Sequence, residues 1–375
     1  RRCAPRRAGA VHGGEAMMKV VTWLGTRPEI IRLSRVIPLL DEHAEHTVVH
    51  TGQNYDENLS DVFFRELQVR QPDVHLGIEA SSFGAQAAAV IEKSFDFFSR
   101  TRPDRVVILG DTNSGLAAIS AARLGIPVFH MEAGNRCFDD RVPEEINRRI
   151  IDNCSDVLMP YTHRSKENLL REGFERQHIA VTGNPIFEVL QFYRPQIDAT
   201  DVMDRLNLAP KGFFLATLHR AENVDEEERL RGFVTALDRV AAIHGLPMLI
   251  SLHPRTLDRL RHFGIDLGAH IRVMKPLGFF DFVRLEMEAA CVLSDSGTVQ
   301  EECCIFGVPN VTLRDVTERA ETIECGSNIL TGGDGAAIER GVSIALAKTP
   351  WTPPGEYLVP NVSQTVVKIV LGYSI

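Results

Sequence analysis

The chain has 375 residues, 44% of them hydrophobic and 24% charged, an ordinary globular composition with length enough for two cores. Its formal net charge of -9 excludes a broad phosphate-tracking surface, so no nucleic-acid partner is expected, and an anionic ligand must be held by a few local arginines. No uninterrupted apolar run approaches the roughly 18 to 20 residues of a membrane-spanning helix, so no membrane association is expected.

Residues 1 to 17 are basic, rich in Gly and Ala and lack an apolar h-region, which predicts a disordered extension and neither a secretory nor a twin-arginine leader. From Lys19 short apolar runs alternate with amphipathic segments, as a parallel sheet with crossover helices demands. VVTWLG (20 to 25) predicts a strand followed by a helix from near Pro28, and HTVVHTG (46 to 52) a strand followed by a helix from about Asp56. DRVVILGDT (104 to 112), IPVFHMEAG (126 to 134) and SDVLMPYT (155 to 162) continue the series. The pattern slackens between 182 and 212, then restarts with FFLATLH, PMLISLH, IRVMKP, CVLSDSG and PNVTLRD. The expectation is an α/β protein of two similar units, 18–190 and 191–355, with a tail helix in 356–375 that crosses back onto the first.

Seven cysteines form an odd set with no CxxC pair and no metal-like spacing, which fits a reducing cytoplasm; Cys303 and Cys304 read as small buried residues of a helix. No metal site and no cofactor are expected, since the chain carries neither G-x-G-x-x-G nor a P-loop.

Ligands of open parallel sheets bind beyond the carboxyl ends of the strands, and the polar motifs lie there. In GTRPE (25 to 29), Arg27 and a helix start could receive an anion, or could be an ordinary cap. In SDSGTVQEE (294 to 302), Ser296 and Gly297 open a helix where a phosphate would find free N–H donors, and Glu302 could accept from ribose hydroxyls; the plain alternative is a serine cap with exposed glutamates. His219 and His253 end successive strands, and His219 is the functional candidate of the two. The stretch HMEAGNRCFDDRVPEEINRR (130 to 149) holds five carboxylates and four arginines. Asp111, Glu132 and Glu144 come from separate strand ends or loops, as expected when several carboxylates face one reacting centre. Arg136 and Arg148 are expected to organise them, whereas Asp139, Asp140 and Glu145 read as surface or structural charges.

GTRPEI, TGQNYD, GDTNS, HMEAGNR, VPEEINRR, VTGN, LHRAEN, LHPRT, DSGTVQEE and RDVTERAE occur in this order over residues 25 to 321. Together they resemble the non-hydrolysing UDP-N-acetylglucosamine 2-epimerase family. The resemblance implies two Rossmann-like domains of the glycosyltransferase-B type with a ligand cleft between them, a UDP-sugar substrate, no metal or nicotinamide, and a cytoplasmic homodimer. It implies that UDP leaves C1 as the C2 proton is removed, and that the resulting 2-acetamidoglucal is reprotonated on its other face before UDP returns. Asp111, Glu132 and Glu144 match the family's catalytic acids and His219 the histidine at the diphosphate. Arg27, Phe282, Ser296, Gly297, Glu302 and Arg319 match its nucleotide-binding positions. Arg32 stands where a lysine is usual, a plausible but altered phosphate contact, and Arg136 is a further substrate-binding candidate. Leu277 stands in place of a glutamine, which removes a possible uracil contact, and TGQNYD stands in place of TGQHRE, which puts in question the activation by a second UDP-sugar seen in bacterial members. These departures also resemble the branch that acts on UDP-2-acetamido-2,6-dideoxy-L-talose. A hydrolysing 2-epimerase and a non-catalytic UDP-sugar-binding protein are the remaining alternatives.

Overall fold

The computed structural model describes residues 17 to 374 apart from 53–56, 81, 253 and 348, with only the backbone given for 57–61. The segment before Met17, most of the TGQNYD motif after Gly52, and His253 therefore lie outside the described residues. The first unit holds β1 (Lys19–Leu24), β2 (Glu45–His50), β3 (Val74–His75), β4 (Arg105–Leu109), β5 (Val128–Met131) and β6 (Val157–Met159). The second holds β7 (Phe214–Leu218), β8 (Met248–Leu252), β9 (Ile271–Met274), β10 (Cys291–Ser294), β11 (Asn310–Thr312) and β12 (Asn328–Leu330). The sheets are parallel throughout, in the orders β3-β2-β1-β4-β5-β6 and β12-β11-β10-β7-β8-β9. Counted from its own first strand, each sheet has the same doubly wound order, whose crevice opens where the strand order reverses.

Helices cover both faces, so the central strands are apolar on both sides. In β1, Val20, Val21, Trp23 and Leu24 are all at most 3% exposed, and burying each such side chain contributes about 1.5–3 kcal/mol. Every apolar run named above became a strand. The edge strands β3 and β12 were not foreseen, because two or three residues leave no periodicity to read.

The units share apolar surface. Phe279 and Val283, from the helix Phe279–Glu288, belong to the same core as Ile30 and Phe63 of the first unit. The helix Pro185–Phe192 runs through the boundary expected at 190/191, and its Ile186, Val189 and Leu190 join that core too. The last helix, Val362–Gly372, buries Val362, Val366 and Val370 at helical spacing and packs on Val36–His43. Arg105 of β4 donates to the Val370 and Tyr373 carbonyls, the latter at 2.7 Å, tying this helix to the first sheet. Among the described residues no helix is long and apolar enough to cross a membrane.

Candidate active site

Both crevices open towards the same cleft. On the first side the turn after β1 is built round Gly25, where a Cβ would lie 2.0 Å from the Ser114 hydroxyl, so only glycine fits. Glu29, in the first turn of the helix Arg27–Leu33, accepts from the Thr26 N–H at 3.0 Å and the Thr112 hydroxyl at 2.7 Å. One carboxylate thereby joins the turn carrying Arg27 to the turn carrying Asp111. Burial raises its pKa to about 7 against the pull of these hydrogen bonds.

Asp111 follows β4 and meets Arg148 of the helix Pro143–Cys154 at 2.7 Å. Burial raises the Asp111 pKa, and the neighbouring carboxylates Glu132, Glu144 and Glu318 add to this, while Arg148 opposes them. Glu132 follows β5 with φ 67°, a left-handed backbone that a non-glycine residue adopts only where its surroundings hold it. Its carboxylate receives Arg32 at 3.1 Å, the Asn135 amide at 3.1 Å and Arg319 of the second unit. Burial alone would raise this carboxyl too, but Arg32 and Arg319 outweigh it and hold Glu132 below the usual range. Two carboxylates of one site are thus driven in opposite directions, as acid–base work requires. Glu144 lies in the first turn of its helix, about one-third exposed, and faces Arg220 across the cleft at 3.5 Å.

On the second side His219 follows β7, and its Nδ1 lies 2.9 Å from Asp295 at the end of β10. Asp295 also accepts from the His219 and Arg220 N–H groups at 3.0 Å and from the Asn223 amide at 3.1 Å. Burial would raise Asp295, but His219 and these donors hold it well below the usual carboxylate range. With Nδ1 engaged, Nε2 is the ring nitrogen left for a ligand. Ser296 holds the N-cap position of the helix Gly297–Phe306 without a side-chain bond to it, its hydroxyl 3.1 Å from that of Thr298, at the end where N–H groups and the dipole favour an anion. A Cβ on Gly297 would come 2.8 Å from Glu318, which itself lies 3.6 Å from Arg148, so the turn adjoins the acids. The cleft holds about 990 Å³ of space, part of it open to solvent, between Arg27 and Phe63 on one side and Leu252, Phe282, Ser296 and Glu302 on the other. Its apolar wall suits a flat base and its far end an anion.

The structure does not bring all the expected residues together. Arg136 is buried between Asp152, at 2.7 Å, and Glu172, at 2.6 Å, and touches neither Glu132 nor Glu144. Arg148 does meet Asp111. Glu145 is fully buried and accepts from the Cys137 and Phe138 N–H groups, ordering the loop from beneath. Asp139 pairs with Arg141 and Asp140 with Arg149. Sequence reasoning passed over Glu301, which bridges Arg32 and Arg319, and Glu318, which is buried among Arg314, Arg148 and Arg220. Both stood inside quoted motifs, QEE and TERAE, but nothing local separates them from exposed helix-end glutamates. Among the described residues no group of three His, Cys, Asp or Glu side chains is placed to hold a metal ion.

The family model described as UDP-N-acetylglucosamine 2-epimerase matches residues 39–371. The UDP-N-acetylglucosamine 2-epimerase of Methanocaldococcus jannaschii is 40% identical over 359 residues, 90% of this chain and 95% of that protein. A crystal structure of that enzyme in complex with UDP-GlcNAc and UDP is similar with a TM-score of 0.89 at 39% identity, covering 94% of this chain and 99% of that one. The UDP-2,3-diacetamido-2,3-dideoxy-D-glucuronate 2-epimerase of Pseudomonas aeruginosa is 38% identical, covering 88% of this chain and 93% of that protein. With two sheets of one order, a cleft between them and carboxylates held by arginines at the strand ends of the first, the chain belongs to the non-hydrolysing UDP-N-acetylglucosamine 2-epimerase family, a family of isomerases.

Proposed function

We propose that the protein interconverts UDP-N-acetylglucosamine and UDP-N-acetylmannosamine by eliminating UDP and adding it back. The observation that carries this reading is the placing of Asp111 and Glu132, each held by an arginine, at the ends of adjacent strands, with the helix start at Ser296 and Gly297 near them. A side-chain carboxylate takes the C2 proton while the C1–O bond breaks, its electron pair leaving with UDP and the C2–H pair forming the C1–C2 double bond. Proton return to the opposite face of C2, and attack of the UDP oxygen on C1, complete the inversion. Asp111, Glu132 and Glu144 are assigned the proton transfers. Asp111, whose carboxyl burial raises above its ordinary range, is assigned both to give and to take a proton. Arg27, Arg319, His219 and the Ser296–Gly297 turn are assigned the departing diphosphate, whose growing charge they would stabilise. Phe282 is assigned the base and Glu302 the ribose; Arg32, already paired with Glu132, is assigned to the phosphate end.

The substrate is assigned as UDP-N-acetylglucosamine on the strength of the 40% identical M. jannaschii relative. The P. aeruginosa relative, 38% identical, makes a diacetamido-glucuronate the second candidate, and the apolar Leu277 in the cleft keeps the 6-deoxy-talose sugar as a third. Proton NMR in deuterated buffer decides among them. Deuterium at C2 with UDP-N-acetylmannosamine and little free UDP is the expected result. Free UDP that accumulates with N-acetylmannosamine would mean hydrolysis, and exchange with only one of the other two sugars would move the assignment there. A cytoplasmic homodimer accompanies this reading, and sedimentation of the purified chain checks the dimer.

A further inference from the structure

Of the buried acids that take no part in the proposed reaction, Glu29, Glu145, Glu301 and Glu318 each have a donor, and Glu286 does not. Glu286, on the helix Phe279–Glu288, is fully buried, and neither of its oxygens has a hydrogen-bond donor among the described residues. A carboxylate anion placed so, with no cation and no donor, is strongly unfavourable. Its helix packs against Gly297–Phe306, and the group it faces there is the carboxyl of Glu302. Two carboxyls in contact in a dry place hold one proton between them, because two anions would repel. Glu302 differs from Glu286 in having a second side, which lines the cleft next to Thr298 and Val299.

We propose that Glu286 is a positioning residue that keeps the shared proton, donates it to one oxygen of Glu302, and so presents the other oxygen as an acceptor for the diol of a bound nucleoside diphosphate. This rests on the reading of the cleft as a UDP-sugar site. The other titratable groups facing the pair are Arg32 from the first unit, and Glu301 and the Cys303 thiol from the Glu302 helix. The Glu286 helix also makes the part-exposed pairs Arg205–Asp281 and Arg284–Asp198, and Glu66 accepts from the Phe279 N–H; none of these reaches Glu286.

Burial raises Glu286 well above the ordinary carboxyl range, and raises Glu302 to about 7 against the pull of Arg32 and of the neighbouring Glu286 carboxyl. An ionised Glu302 accepts from the diol more strongly than the neutral acid, so UDP affinity rises with pH through about 7 in the unaltered protein. Glu286→Met removes the donor and moves that rise to higher pH. Glu286→Gln still donates, through its amide, and leaves it nearly in place.

The test is calorimetric titration of the full chain with UDP between about pH 6 and pH 9. Near neutrality Glu286→Met should weaken UDP about tenfold and Glu286→Gln by no more than about twofold. In the infrared, at about pH 8 and without ligand, the wild-type protein should show a protonated-carboxyl band that Glu286→Gln lacks. Tight UDP binding with the same pH profile in Glu286→Met as in wild type would overturn the positioning role and leave the proposed function standing. Absence of the band would overturn the shared proton whatever binds. If wild type binds no UDP, the reading of the cleft falls first and this inference with it.

Discussion

The two sheets share one strand order, yet what stands at their strand ends differs. The first sheet ends in carboxylates held by arginines, Asp111 by Arg148 and Glu132 by Arg32 and Arg319. The second ends in an imidazole held by a carboxylate, His219 by Asp295, and in a helix start with no side-chain cap. Topology fixes where the chemistry can sit, and the identity of a few strand-end residues separates the half proposed to move protons from the half proposed to receive the anion. Arg319–Glu132 and Arg220–Glu144 cross between the halves, so ion pairs tie the two strand-end clusters together.

The largest effects should come from separating these roles. Asp111→Asn keeps the shape of the first side but removes a group that can take a proton. C2 deuterium exchange should fall about 1,000-fold while UDP titration stays near wild type. An exchange rate close to wild type would end the assignment of proton transfer to the first sheet. Arg319→Ala strikes the connection instead. It leaves Glu132 with Arg32 and Asn135, and Glu301 with Arg32 alone, so unfolding in urea should show a loss of about 3–5 kcal/mol along with weakened UDP binding. A variant as stable as wild type would mean that the two halves are not coupled through this residue.

How much of this was legible in the sequence follows from distance along the chain. The strand-end positions of Asp111, Glu132 and His219 could be read, because an apolar run followed by a turn residue is a local signal. The partner of Glu132 could not, since Arg319 stands 187 residues away and no local period links them. Arg136 was expected among the acids on proximity alone. The chain turns at Gly134, with φ 77°, and carries Arg136 beneath the loop to Asp152. Glu286 reads from the sequence as one more polar residue of an amphipathic helix, and only packing against Gly297–Phe306 reveals that it is buried.

The second half can be tested in the same way. Asp295→Asn removes the anion that orients His219 and receives two backbone N–H groups, so UDP affinity should drop roughly 10- to 100-fold. Unchanged affinity would leave His219 a structural residue. Both halves should respond to acid. Glu132, Glu318 and Asp295 are held below their usual range by arginines, or by His219 and its neighbouring donors, so their folded pKa values lie below the unfolded ones. The stability they contribute is present above the unfolded value and is lost as pH falls through the folded one, so Tm should drop between about pH 5 and pH 3. Glu318→Gln should flatten that slope, and a slope unchanged by it would place the acid sensitivity elsewhere.

The smallest effect tests the wall rather than the floor of the cleft. Phe282 is partly buried and lines the side opposite Arg27 and Phe63. If its ring meets the base, it does so equally in the bound substrate and in the transition state, because the base does not react. Phe282→Leu should therefore raise KM about three- to tenfold, the scale of one lost ring contact, and leave kcat unchanged. The acid variants should show the reverse split, a fall in kcat with little change in UDP binding. A Phe282→Leu variant that loses kcat would mean that the base anchors closure of the cleft around the acids, and the division between a binding half and a reacting half would no longer hold.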